Sequence, residues 1–481
     1  MPMKHDRICV RRFCCLFAVA AICALLPPAL RAQTVDTVDP ATRGRIDHIV
    51  MDVLHATGVP SASIAVVQHG HVAYTHAYGM ARLATAAAPA MPATTDMKYA
   101  IGSISKQFTA AAILLLQQEG KLSLDDPVGK YVPGLTQGNG ITIREILSHT
   151  SGYQDYWPED YVMKPMLQPE TPQQILDTWA KAPLDFLPGT QWQYSNTNFV
   201  IAGQIVEKVS GEPLMQFLTE HIFKPLDMKS VWDFDQEQLT KADPTGYYRH
   251  ALGPLRPAPK EGRGWMSAAG ELAMTAYDLG LWDQSLIAES VLKPESYQQM
   301  FTAVRLKDGK NTHYGLGVEV LDRDGRKVIA HSGEVSGFVS DNEVLPDYGD
   351  AVVVLTNQDA VNAAGTIARM IEPIVAGFEP SLTPVEQQML DIYKGLQHGK
   401  IDRSLLSPNL NAYFDAQALS DFEKSMGPLG DPMSFKQTYS TLRGGMTFRE
   451  FAITYPGKKL ELTTYSYPNG KLEQYLVAPA D

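Results

Sequence analysis

The sequence predicts an α+β protein in which an antiparallel sheet flanked by helices carries an all-helical lobe, with a small α+β domain at the C-terminal end. Three observations predict it. β-rich runs cluster at 62–78 and again at 314–356, a long stretch of helical and loop pattern separates them, and a second helix-then-strand series follows a Pro-bearing segment at 379–384. With 481 residues, the chain is also too long for one typical domain.

Taken in order, residues 1–32 have the pattern of an export leader. Lys4, Arg7, Arg11 and Arg12 precede an apolar stretch at 13–26, Pro27 and Pro28 break it, and Ala32 offers a cleavage point before Gln33. An uncleaved anchor is the lesser alternative, because the stretch falls short of the ~20 residues a span needs. Removal takes away five basic residues and one acid, moving the net charge from −12 to −16. Cys9, Cys14, Cys15 and Cys23 leave with it, so the exported protein has no cysteine, no disulfide and no thiol chemistry. The expected location is secreted or periplasmic, with no stable membrane insertion after the leader is removed. The acidic balance argues against nucleic acid as a partner, which needs a basic face.

Residues 33–378 read as the first domain. Runs at 62–68 and 71–78 flank His69-Gly70 as a hairpin. A helix is predicted from Ser103 to about Glu119, since Phe108, Ala111, Ala112 and Leu115 recur at helical spacing and Gly120 supplies a stop. Helix and loop continue to about residue 300. Strands are predicted at 314–321, 327–331, 337–345 and 351–356, with turns at Asp324-Gly325 and 348–350, and a closing helix at 363–376. Residues 379–481 form the appendage, with helices near 386–398, 402–413 and 417–426. Four strands follow near 434–441, 446–455, 459–466 and 472–478, turning at Pro456-Gly457 and Asn469-Gly470. Its plainest reading is a packing module or a cap on the substrate cleft.

Three short patterns carry chemistry. Ser103 and Lys106 lie one helical turn apart, so both face one way at a helix start, where free N–H groups and the dipole favour negative charge. A serine hydroxyl becomes a nucleophile when a base takes its proton, and a buried lysine can be that base. Ser-x-x-Lys arises by chance roughly once in such a chain, and alone reads as a helix cap followed by a solvated lysine. Tyr194-Ser195-Asn196 lies on a polar loop; a tyrosine beside an ammonium can ionise more easily and serve as acid or base, and the asparagine amide can orient both lysine and substrate carbonyl. His331-Ser332-Gly333 ends a strand, where Gly333 lets a substrate lie along the edge and the Glu334 N–H can join that of Ser103 as an oxyanion hole. Ser105 and His149 read as structural. No Gly-x-Ser-x-Gly elbow and no His-Glu-x-x-His are present, and His69-x-His71 lacks a carboxylate partner, so an α/β-hydrolase and a zinc site are both disfavoured.

In that order, Ser103-x-x-Lys106, Tyr194-x-Asn196 and His331-x-Gly333 resemble the three signatures of the class C β-lactamase and DD-peptidase family, which includes serine esterases and D-aminopeptidases. Segments 147–152 (LSHTSG) and 268–272 (AAGEL) resemble further family stretches, and the resemblance covers about residues 45–378. It implies the β-lactamase/transpeptidase-like fold, acylation of Ser103, water attack on the acyl-enzyme, and no metal or organic cofactor. Residues 380–481 more loosely resemble NTF2-like appendages on some relatives. True β-lactamases usually place a cationic lysine at His331, whereas histidine is mostly neutral at pH 7. A carboxylate at Glu334 would repel an anionic substrate and favour an amine, unless it points to solvent.

The expected function is therefore an exported serine acyl hydrolase cleaving an ester or a small D-amino-acid amide. The alternatives are a β-lactamase or DD-carboxypeptidase acting on penicillins or cell-wall peptides, and a catalytically silent penicillin-binding-like sensor. The expected partner is a small ester or peptide substrate.

Overall fold

The computed structural model describes residues 35–159, 161–378, 382–455 and 458–480. The leader, part of the segment at 379–384 and the Pro456-Gly457 turn lie outside the described residues. Asp39 accepts the Ala41 and Thr42 N–H groups to cap helix α1 (Pro40–Thr57), which stops at Gly58 in a left-handed conformation. Strands β1 (Ser61–Gln68) and β2 (His71–Arg82) form the expected hairpin, with His69 and Gly70 both at positive φ. A two-residue β3 (Met91–Pro92) extends its edge.

Helix α2 (Ser105–Gln118) begins two residues later than the sequence indicates, because Gly102–Ile104 forms a tighter 3-10 turn. Between α2 and α3 (Asn196–Ser210) the chain makes short helices and loops. After α4 (Ala276–Ala288) come β4 (Glu319–Arg323), β5 (Arg326–Val335), β6 (Phe338–Leu345) and β7 (Asp350–Thr356), then α5 (Ala363–Val375). Two expectations are corrected here. Residues 314–318 are not strand, since Gly317 at φ +70° turns the chain before β4. The His331-Ser332-Gly333 motif does not end its strand; β5 continues to Val335, paired with β6 from Ile329 onward.

The seven strands run β3-β2-β1-β7-β6-β5-β4, so the two ends of the domain meet where β1 pairs antiparallel with β7. Alternation along these central strands builds two cores. Ile64, Val66, Val352 and Val354 pack with Ile46 and Val50 of α1 and with Ile367 and Ile371 of α5. Ala65, Val67, Val353 and Leu355 share the opposite core with Phe108, Leu279 and Trp282 and with the helical lobe, including Leu147, Ile175 and Phe199. The lobe thereby lies on the α2 side of the sheet.

Beyond the linker, α6 (Pro384–Gln397), α7 (Pro408–Tyr413) and α8 (Ala416–Met426) precede β8 (Ser434–Arg443), β9 (Met446–Tyr455), β10 (Lys458–Ser466) and β11 (Leu472–Pro479), a four-stranded antiparallel sheet in chain order. Its apolar cluster, around Tyr393, Phe414, Phe451 and Leu462, draws only on residues of this segment. Among the described residues no helix is long and apolar enough to cross a membrane.

Candidate active site

Two glycines set the nucleophile's position. Gly102 has φ +52°, and a Cβ there would lie 2.8 Å from the Glu334 backbone nitrogen. A Cβ on Gly333 would come within 1.9 Å of the Ile101 carbonyl oxygen. The turn bearing Ser103 is thus pressed onto β5 by backbone contact alone. The missing side chain of Gly333 makes room for the protein's own Ile101, a contact the sequence did not indicate. Ser340 Oγ donates to the same Ile101 carbonyl at 2.8 Å and fixes the turn from β6. Ser105, as expected, is structural, its Oγ accepting the Leu272 N–H at 3.1 Å.

Two side chains, one from the next helical turn and one 91 residues along the chain, converge on Ser103. Lys106 Nζ lies 2.9 Å from Ser103 Oγ, and the Tyr194 hydroxyl donates to the same oxygen at 2.7 Å. Lys106 Nζ also bonds Asn196 Oδ1 at 2.8 Å and the Ala269 carbonyl at 2.7 Å. Full burial lowers the lysine to about 7, against the opposing pull of Asp155 and Glu271. Near neutral pH a large fraction of Lys106 is a free amine able to take the serine proton. Tyr194 behaves contrary to the expectation that it ionises easily. Burial raises it well above the ordinary tyrosine range, outweighing the Ser103 hydrogen bond, so the phenol keeps its proton and donates.

Asn196 orients the lysine, as expected, but its amide nitrogen is turned to Asp155, at 3.2 and 3.3 Å from the two carboxylate oxygens, rather than to a substrate carbonyl. Asp155 also accepts the Asn196 backbone N–H at 2.9 Å and the Trp157 N–H at 3.2 Å. The sequence offered no local signal for Asp155; it lies just past the 147–152 segment and acts 41 residues away. His149 packs its ring 4.4 Å from that of Tyr194 and accepts the Ser195 N–H at 3.1 Å, holding the tyrosine loop in place.

His331 lines the same cleft. Its Nδ1 is 2.6 Å from the Ser332 carbonyl and its Nε2 is 2.7 Å from the Tyr314 hydroxyl. Burial, with Lys106 second, pushes it down to about 3, so the ring is neutral. Glu334 is exposed on the cleft wall, and one carboxylate oxygen accepts the Ala360 N–H at 2.7 Å. The cleft encloses about 580 Å³, and Asp155, Glu159, Glu319, Glu334 and Asp359 line it with no lysine or arginine among the lining residues. Trp157, Tyr161 and Trp192 supply its aromatic surface. A second hollow, about 650 Å³, lies in the appendage between Gln388, Ile392, Lys400 and Leu405, with no serine, cysteine or histidine among the described residues that line it. Among the described residues no group of three or more His, Cys, Asp or Glu is placed to hold a metal ion.

A sheet with a helical lobe, and a serine at the foot of the central helix beside a buried lysine, define a serine hydrolase of the β-lactamase/transpeptidase-like class. The chain belongs to the beta-lactamase family, whose model matches residues 46–372. It is similar to a penicillin-binding protein of Bacillus subtilis (strain 168), 27% identical over 314 residues that cover 62% of this chain and 68% of the relative. It is also similar to the D-aminopeptidase of Brucella anthropi, 28% identical over 283 residues, covering 58% of this chain and 52% of the relative. The chain thus spans about half to two thirds of the length of such curated relatives. Among solved structures, a D-stereospecific amidohydrolase from Streptomyces sp. superposes with a TM-score of 0.60 at 28% identity, covering 71% of this chain and 100% of that one. The octameric penicillin-binding protein homologue from Pyrococcus abyssi shares the fold over 90% of this chain and 99% of its own, with a TM-score of 0.61 at 23% identity.

Proposed function

We propose that this protein is an exported acyl hydrolase that cleaves an ester or a small D-amino-acid amide through an acyl-enzyme on Ser103. The observation that carries the reading is the Ser103 hydroxyl held between Lys106 Nζ and the Tyr194 hydroxyl at 2.9 and 2.7 Å. The neutral lysine accepts the serine proton as Oγ bonds to the carbonyl carbon. Negative charge then builds on the carbonyl oxygen, beside the amides of Ser103 and Glu334. Tyr194 passes its proton to the departing amine or alkoxide and recovers one from the Lys106 ammonium. Water attacks the ester in the second half by the same groups in reverse.

Charge supports the choice of substrate. A cleft walled by carboxylates, with a neutral His331 where a cation would grip a substrate carboxylate, suits an acyl group bearing an amine and disfavours penicillins. The names of the D-aminopeptidase and amidohydrolase relatives point the same way. We read residues 1–32 as a leader that sends the enzyme to the periplasm or the medium, and the appendage as a module packing beside the hydrolase domain.

A fluorophosphonate probe tests the mechanism: it labels the native protein, and Ser103→Ala abolishes labelling. An unlabelled native protein favours the silent sensor instead. A panel of p-nitrophenyl esters, D-alanyl amides and nitrocefin tests the substrate. Nitrocefin turnover exceeding that of the esters and amides by orders of magnitude overturns the preference in favour of a β-lactamase.

A further inference from the structure

We infer that Tyr314 is a specificity-determining residue whose hydroxyl locks His331 as an uncharged wall of the cleft, so that substrates needing a cation there for their carboxylate are refused. The inference rests on the cleft being the substrate site, as proposed above.

The lock follows from donor and acceptor counting. A carbonyl oxygen only accepts, so the 2.6 Å contact with Ser332 puts a hydrogen on His331 Nδ1. In the neutral ring Nε2 is then a bare acceptor, and Tyr314, 2.7 Å away, donates to it. A second proton on Nε2 would set N–H against O–H. The phenol would have to turn and place its own hydrogen elsewhere, but Tyr314 is 2% exposed, with its ring edge-on to those of His149 and His331. A buried O–H without an acceptor is costly. The titratable groups packed about the imidazole are Tyr194, His149, Lys106, Glu319 and Tyr314 itself. His149 is neutral through burial, and Lys106 opposes further positive charge. Glu319, a cleft carboxylate, would favour an imidazolium, yet burial raises its own pKa and weakens that pull. Burial and Lys106 already disfavour a charge on His331, and the hydrogen bond from Tyr314 adds to them by occupying Nε2, the one atom that could take the second proton. Without that bond Nε2 is an unpaired acceptor on the wall of the cavity, free to take a proton when an anion arrives.

The test compares the native protein with Tyr314→Phe by two measurements. In ¹⁵N-histidine spectra, with the His331 signals assigned through His331→Asn, the native ring shows one protonated and one bare nitrogen and does not titrate between about pH 8 and pH 5. In Tyr314→Phe, adding a dicarboxylate such as succinate at about pH 5.5 converts the signals to imidazolium. In kinetics, for an acetyl and succinyl ester pair, the KM of the succinyl ester relative to the acetyl ester falls about tenfold in Tyr314→Phe between about pH 8 and pH 5.5. In the native enzyme the ratio stays flat, and His331→Asn in the Tyr314→Phe background restores that flatness. A native His331 that titrates above pH 5 overturns the inference even if the variant fails to fold. So does a Tyr314→Phe ring that stays neutral with succinate present. If neither ester is turned over, the proposed activity fails, while the spectra still decide the role of Tyr314.

Discussion

The charge on Lys106 should govern the rate, and Asp155 offers a handle on it from outside the reacting atoms. With Lys106 titrating at about 7, kcat/KM climbs through that pH as the ammonium loses its proton and becomes a base. Asp155→Asn removes one negative charge while keeping an oxygen to accept the Asn196 backbone N–H. The lysine reaches Asn196 Oδ1 at 2.8 Å, and the amide nitrogen reaches the carboxylate at 3.2 Å. In series, with about 2 Å across the amide itself, these contacts separate the charges by roughly 8 Å, which at an effective dielectric of about 20 is worth about 2 kcal/mol, or up to about 1.5 pH units. Water in the open cleft reduces this, and a displacement of about one unit is expected. The sign follows from the charge: an anion stabilises the ammonium, so its loss lowers the lysine, and the acid limb moves down from about pH 7 to about pH 6. Initial rates on a p-nitrophenyl ester, below KM and between about pH 5 and pH 9, measure the limb directly. A limb that stays in place or moves upward refutes the electrostatic coupling, even if the variant is slower.

Gly333→Ala places a methyl group against the Ile101 carbonyl, and a backbone atom cannot swing aside; we expect a loss of about 2–3 kcal/mol in urea unfolding together with most activity, and near-native values would contradict the close approach. Lys106→Met should be inactive yet more stable at neutral pH. The folded lysine sits near 7 against 10.5 when free, so the unfolded chain binds the extra proton between those values and native stability rises with pH across that window. The burial penalty at pH 7 is about 4 kcal/mol, partly offset in the variant by the stranded Asn196 and Ala269 oxygens, so a lower Tm for Lys106→Met at pH 7 would refute the depressed pKa. His331→Lys puts an ammonium on the cleft wall and should lower KM for carboxylate-bearing esters about tenfold. An unchanged KM would mean that the side chain at 331 does not meet substrate.

The parts of the site that could be read from the sequence are those whose geometry is local. A spacing of three residues brings Ser103 and Lys106 to one face without knowledge of the fold, and alternation with turn residues marks most strands of the sheet. Asp155 and Tyr314 escaped because each acts across a gap, 41 residues to Asn196 and 17 to His331, that only the folded chain closes. The approach of Gly333 to Ile101 was not legible, because a glycine in sequence does not say which backbone it must approach. The error over Tyr194 has a different root. An ammonium beside a phenol promotes its ionisation only if the ammonium is permanent, yet the burial that makes Lys106 a usable base withdraws its standing charge and raises Tyr194 at once. One desolvated pocket therefore sets both groups in opposite senses, an amine ready to accept a proton and a phenol ready to give one. That division of labour is what two-step acyl transfer requires of the pair on either side of Ser103.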